Sequence, residues 1–152
     1  MILLDHLNLD TMRVPLAATD RHGAIDELVD ALTGAECIEN GDAIKQLVWE
    51  RELQRTTGIG EGLAIPHARC DNLADIVVAM GRPTTPIDFS SPDKRPVELV
   101  ILLVSPSANT ADHIQALGRI SRLMVNRTFR ETAYATQTPQ ELFDHFHTAM
   151  GE

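Results

Sequence analysis

The sequence predicts an α/β fold: one domain over residues 1–152, with a mixed β-sheet flanked by α-helices on both faces. Three observations predict it. Val97 to Val104 is a near-continuous apolar run rich in branched side chains, the pattern of a central strand buried on both faces. Apolar residues recur at helical spacing before and after that run, so helices and strands alternate and the sheet must be covered on both sides. The strand pattern at Asp75–Gly81 leads to the Val97 run without an intervening helix, which predicts some antiparallel pairing and therefore a mixed sheet.

Taken in order, the chain opens with a short helical turn, then a strand near Met12–Leu16. Thr19 or Asp20 can cap the next helix, whose stripe is Ile25, Leu28, Val29 and Leu32, ending at Gly34. Asn40-Gly41-Asp42 opens a second helix with the stripe Ile44, Leu47 and Val48. The next position on that face is Arg51, and an arginine there points to the core side or a cleft and needs an anionic partner. Leu63-Ala64-Ile65 suits a short buried strand. Arg82 to Pro96 carries four prolines and reads as a loop with a brief strand at Ile87. Ser105-Pro106 ends the central strand, and Asn109 or Thr110 caps a long helix to about Val125 with Leu117, Ile120 and Met124 inward. A short helix follows over Arg127–Thr136. Thr138-Pro139-Gln140-Glu141 is a capping box for a last helix bearing Leu142, Phe143 and Phe146.

Composition narrows the function classes. At 152 residues the chain can bury a sizeable core, and a net charge of −9 with few aromatics disfavours nucleic-acid binding. An acidic surface suits a partner with a basic docking face. The two cysteines, Cys37 and Cys70, are far apart, which suits a reducing compartment. The start has no basic segment followed by an apolar one, and Leu99–Val104 is too short to span a bilayer, so a cytoplasmic location without membrane insertion is expected.

The chemistry gathers around Thr56–Arg69, where Gly58, Gly60 and Gly62 alternate before Leu63-Ala64-Ile65-Pro66-His67. Pro66 stops the chain continuing as a helix, and His67 is expected at the end of a loop on a rigid support. A neutral imidazole with a reference pKa of about 6.5 is a good nucleophile for a phosphoryl group. Arg51 has the planar fork to hold phosphoryl oxygens, and glycine-rich backbone can add N–H donors. Glu61 lies inside the glycine loop. His113, one turn before Leu117, is kept neutral by the positive end of its helix. Each has a plainer reading: a loop histidine bonded to backbone for His67, an ion pair with Glu50 or Glu52 for Arg51, simple exposure for Glu61, and a helix-start histidine without a role for His113. His6, His22, His145 and His147 read as surface.

Other motifs fit less well. The glycine spacing is wrong for a dinucleotide loop, no Gly-Lys-Ser/Thr follows for a phosphate loop, and a serine hydrolase elbow is missing. His67, Cys70 and His113 offer three ligands for a metal-dependent hydrolase, the weakest reading, and no cofactor or resident metal is expected.

Arg51-Glu52 with Thr57-Gly-Ile-Gly-Glu-Gly-Leu-Ala-Ile-Pro-His67 closely resembles the type 2 enzyme IIA domains of the bacterial phosphoenolpyruvate-dependent sugar phosphotransferase system, the fructose/mannitol and nitrogen-regulatory class. Pro86-Ile-Asp-Phe89, the strand from Pro96 and the helix from His113 follow in the family's order. Ala68 stands where the family often has glycine. The resemblance implies that His67 accepts a phosphoryl group from an HPr-like phosphocarrier, and passes it to an enzyme IIB or holds it as a regulatory signal. It implies a phosphoryl-stabilising role for Arg51, a site-lining place for Glu61, and a second, unphosphorylated histidine at His113. The Thr57-Gly-Ile-Gly start, Ala64-Ile-Pro-His67 and the end of the chain soon after its last helix, without a fused IIB or IIC domain, resemble the nitrogen-regulatory branch; a sugar-specific IIA is the alternative.

Overall fold

A computed structural model describes residues 3–151, so the first two residues of the expected opening turn and the last residue of the expected domain lie outside it. After short 3-10 turns at Leu3–His6 and Leu9–Thr11 come β1 (Met12–Leu16), α1 (Arg21–Gly34) and α2 (Gly41–Gln54). Then come β2 (Gly58–Gly60), β3 (Leu63–Ala64), β4 (His67–Cys70), β5 (Val77–Pro83) and β6 (Leu99–Pro106). Three helices close the chain: α3 (Thr110–Val125), α4 (Arg127–Tyr134) and α5 (Pro139–Met150).

The six strands form one mixed sheet in the order β1-β5-β6-β3-β2, with β4 also paired to β6. β6 is its axis. On one side it pairs antiparallel with β5, Val77 opposite Val104 and Gly81 opposite Val100, as the helix-free connection predicts. On the other side it pairs parallel with two short segments in succession: β3 with Leu63 opposite Leu99, then β4 with His67 opposite Leu103. Pro66 lies between them without an N–H to offer, and its carbonyl accepts the Leu103 N–H at 3.0 Å.

Strand alternation sorts the core into two layers. Leu99, Ile101 and Leu103 of β6 pack with Ala116, Ile120 and Met124 of α3 and with Leu142 and Phe146 of α5. Val100, Leu102 and Val104 pack with Ile25, Leu28, Val29 and Leu32 of α1 and with Ile44 and Val48 of α2. Met12 and Val14 join the first layer but Leu16 the second, because the β1–β5 register shifts between Arg13 and Leu16. The caps are as expected. Asp20, Asn40 and Asn109 cap α1, α2 and α3, and Thr138 accepts the Glu141 N–H at 3.1 Å.

Four expectations need correction. His67 opens a strand rather than ending a loop, because β4 gains the C-terminal half of β6 as a ladder partner. Gly58–Gly62 is a β-hairpin between β2 and β3, with positive φ at Glu61 (57°) and Gly62 (84°), the handedness that two-residue hairpin connections favour. On α2 the buried line is Ile44, Val48 and Glu52, while Leu47 is exposed and Arg51 half-buried at the rim. His6 and His145 are partly buried and engaged rather than free on the surface. His6 lies partly buried 3.8 Å from Asp75, and His145 stacks on Phe129 at 4.1 Å and donates to its carbonyl at 2.9 Å. Among the described residues no helix is long and apolar enough to cross a membrane.

Candidate functional site

Two histidines meet beside the C-terminal half of β6, where the β4 ladder begins. His67 is the first residue of β4. His113 is in the first turn of α3, which β6 feeds through Pro106–Asn109. Their ring centroids are 5.4 Å apart with the planes tilted by 56°.

Each ring is fixed through Nδ1. The His67 Nδ1 lies 2.8 Å from the Ile65 carbonyl oxygen, which can only accept, so Nδ1 carries the proton and Nε2 keeps its lone pair. The His113 Nδ1 lies 2.7 Å from Oγ of Ser105, a fully buried residue of β6. Burial lowers the His67 pKa. The Ile65 carbonyl opposes this, Arg51 lowers it further and Glu52 raises it. His113, 7% exposed, is pushed down to about 4 by burial first, then by His67 and Arg69. Both rings are therefore neutral near pH 7, and the site holds an unprotonated imidazole nitrogen beside cations.

Those cations come from two elements. Arg51, in the last turn of α2, donates from Nη1 to the Arg55 carbonyl at 3.1 Å. It makes neither expected ion pair: Glu50 accepts from Gln46, and Glu52 accepts from Thr57. Its positive charge reaches His67 and lowers the pKa of that ring. Arg69 follows His67 on the same face of β4 and donates to the Ser107 carbonyl and the Thr110 hydroxyl at the start of α3.

Glu61 is set apart. At the hairpin tip, 60% exposed at its side chain, it pairs with Arg95 at 2.7 Å and Arg130 at 3.4 Å. Its N–H donates to Asp93 and its carbonyl accepts from Tyr134. The adjoining Gly62 carbonyl accepts from Glu98 and Leu99, whereas His67 pairs with Leu103. Four residues of strand, about 13 Å, therefore separate the two levels.

The three-ligand metal reading lacks its geometry. Strand alternation sends Cys70 to the α1–α2 face with Ala68, opposite to the face of His67 and Arg69. Among the described residues no group of three metal-ligating side chains converges.

Sequence reasoning missed Glu52, Arg69 and Ser105. Two had a signal: Glu52 lies four residues after Val48 on the buried stripe, and Arg69 lies two after His67 in a strand. Ser105 had none beyond its place at the end of the apolar run.

A family model described as the phosphoenolpyruvate-dependent sugar phosphotransferase system, EIIA 2, matches residues 5–148. A fructose-specific EIIA component of Haloferax volcanii is 33% identical over 91% of this chain and 88% of its own length. A nitrogen regulatory protein of Bradyrhizobium diazoefficiens is 36% identical over 84% of this chain and 83% of its own. A fructose-specific EIIABC component of Bacillus subtilis is 29% identical over 95% of this chain, which spans 23% of that longer protein. In fold, the chain is similar to the nitrogen regulatory protein IIA-Ntr of Neisseria meningitidis, with a TM-score of 0.88 at 23% identity over 95% of this chain and 99% of the other. The matched span takes in every strand and all but the last two residues of the α-helices described above, and on it the chain belongs to the type 2 enzyme IIA family of the phosphoenolpyruvate-dependent sugar phosphotransferase system.

Proposed function

We propose that this phosphotransferase-family protein carries a phosphoryl group on Nε2 of His67. The observation that supports this most is the hydrogen bond from His67 Nδ1 to the Ile65 carbonyl, which leaves Nε2 as the nucleophile of a neutral ring. That nitrogen attacks the phosphorus of a phosphohistidine on an HPr-like carrier. The new nitrogen–phosphorus bond forms as the old one breaks, and the departing electron pair returns to the donor imidazole. The positive charge that develops on the His67 ring is stabilised through Nδ1–H by the Ile65 carbonyl. Arg51 supplies cationic stabilisation to the phosphoryl oxygens. His113 donates from Nε2–H to the same oxygens when the Ser105 hydroxyl donates to its Nδ1. Glu61 belongs to the approach surface rather than to the phosphoryl pocket.

The group then moves to an enzyme IIB, or its presence is read by a regulatory target in the cytoplasm. The regulatory branch is favoured by the nitrogen regulatory relative at 36% identity, and the sugar-specific branch by the fructose-specific EIIA at 33% over most of its length. Incubation with radiolabelled phosphoenolpyruvate, enzyme I and a carrier of each branch is expected to give an acid-labile, base-stable adduct in wild type and none in His67→Ala. The faster carrier identifies the branch. No adduct with either active carrier contradicts the proposal.

A further inference from the structure

We infer that Glu52 is a positioning residue for phosphoryl transfer, holding the backbone that fixes the reactive tautomer of His67. This rests on the proposed role of His67. Glu52 is 1% exposed and sits in the last turn of α2, where the negative end of the helix disfavours a carboxylate. It continues the Ile44–Val48 line, so an apolar side chain would suit packing alone. The structure shows what the carboxylate does there. One oxygen accepts the Thr57 N–H at 2.8 Å, and the other accepts the Thr57 hydroxyl. Arg21 of α1, 3.9 Å away and packed over the Trp49 ring, offsets its charge.

The clamp continues to the site in two further hydrogen bonds. The Thr57 carbonyl accepts the Ile65 N–H at 3.0 Å, and the Ile65 carbonyl accepts the His67 Nδ1–H at 2.8 Å. Glu52, Thr57, Ile65 and His67 thus form one connected path from the end of α2 to the ring nitrogen that must stay protonated. The same clamp fixes the turn of α2 that carries Arg51. Without it, Thr57 loses both of its side-chain acceptors, and the Ile65 carbonyl is no longer held against the imidazole.

The test reads the His67 ring by nitrogen-15 NMR near pH 7.5 in unphosphorylated protein, alongside the phosphorylation rate. Wild type is expected to show the Nδ1–H tautomer of His67. In Glu52→Ala the spectra should shift to a mixture of tautomers, and phosphorylation should slow by about 10- to 100-fold, as a misplaced reactive group does. Glu52→Gln, whose amide oxygen still accepts the Thr57 N–H, should recover most of both. Glu52→Leu fills the buried volume and gives the same reading as alanine if the alanine variant unfolds. A His67 that stays wholly Nδ1–H in a folded Glu52→Ala or Glu52→Leu protein overturns the inference, and so does a glutamine variant as slow as alanine. Wild type that takes no phosphoryl group would instead remove the proposed function, while the ring spectra would still report the hold of Glu52 on His67.

Discussion

The protonation of two imidazoles sets what the site can do. Burial holds His67 and His113 neutral; Arg51 adds to this at His67, where Glu52 opposes it, and Arg69 adds to it at His113. A neutral His67 is a nucleophile, whereas a protonated one has no lone pair on Nε2. The His113 shift also makes a stability prediction. Its folded pKa of about 4 lies below the unfolded value of about 6.5, so the unfolded chain binds the proton first as pH falls. The stabilisation is therefore fully present above about pH 6.5 and lost as pH falls to about 4, amounting to roughly 3 kcal/mol. Urea midpoints measured across that window should fall steeply in wild type and less steeply in His113→Asn. Equal slopes would show that His113 does not carry the shift. At this scale Arg51, His67 and His113 stood out in the sequence as polar residues placed against a local pattern, while the roles proposed for them came from the family resemblance. The Ile65 carbonyl was not, since a backbone oxygen has no residue-type signature and its partner depends on how β3 and β4 share β6.

Among the elements, the long ones were legible, and of the short strands β3 was while β2 and β4 were not. α1, α3, α5, β1 and β6 carry complete periodic stripes or runs, so local pattern fixes their type. β2 and β4 span three and four residues and exist because β3 and β6 offer them ladders, information held far away in the chain. The hairpin shows what such an element demands. A Cβ at Gly58 would sit 3.0 Å from the Phe89 Cβ and closer still to Oγ of Ser91. Gly58→Ala should therefore destabilise the fold by about 1–3 kcal/mol, as overpacking does. Ser91 Oγ is buried without a hydrogen-bond partner among the described residues, so Ser91→Ala alone should cost little. Adding it to Gly58→Ala should recover part of the loss, because the nearest contact is then gone. Chemical denaturation of the four proteins measures the coupling, and strictly additive effects would contradict this packing.

As a whole, the molecule is a mixed sheet with helices on both faces, and His67 and His113 meet beside its central strand. With a net charge of −9, an encounter with a basic carrier is electrostatically steered. Transfer to the protein should slow as salt rises from about 50 to 300 mM, where the screening length shortens below about 10 Å. A rate independent of salt would remove steering from the account. The overall class, α/β with a mixed sheet and helices on both faces, followed from the alternation of patterns. The separation of Glu61 from the histidines did not, because the hairpin that carries it folds toward Arg95 and Arg130, distant in sequence. The central claim is the atom that carries the group. Phosphorus and nitrogen-15 NMR of the phosphorylated protein tests it most directly. The account predicts a single phosphoryl group bonded to Nε2 of His67 with Nδ1 still facing the Ile65 carbonyl. A phosphoryl group on Nδ1 of His67, or on His113, would contradict it.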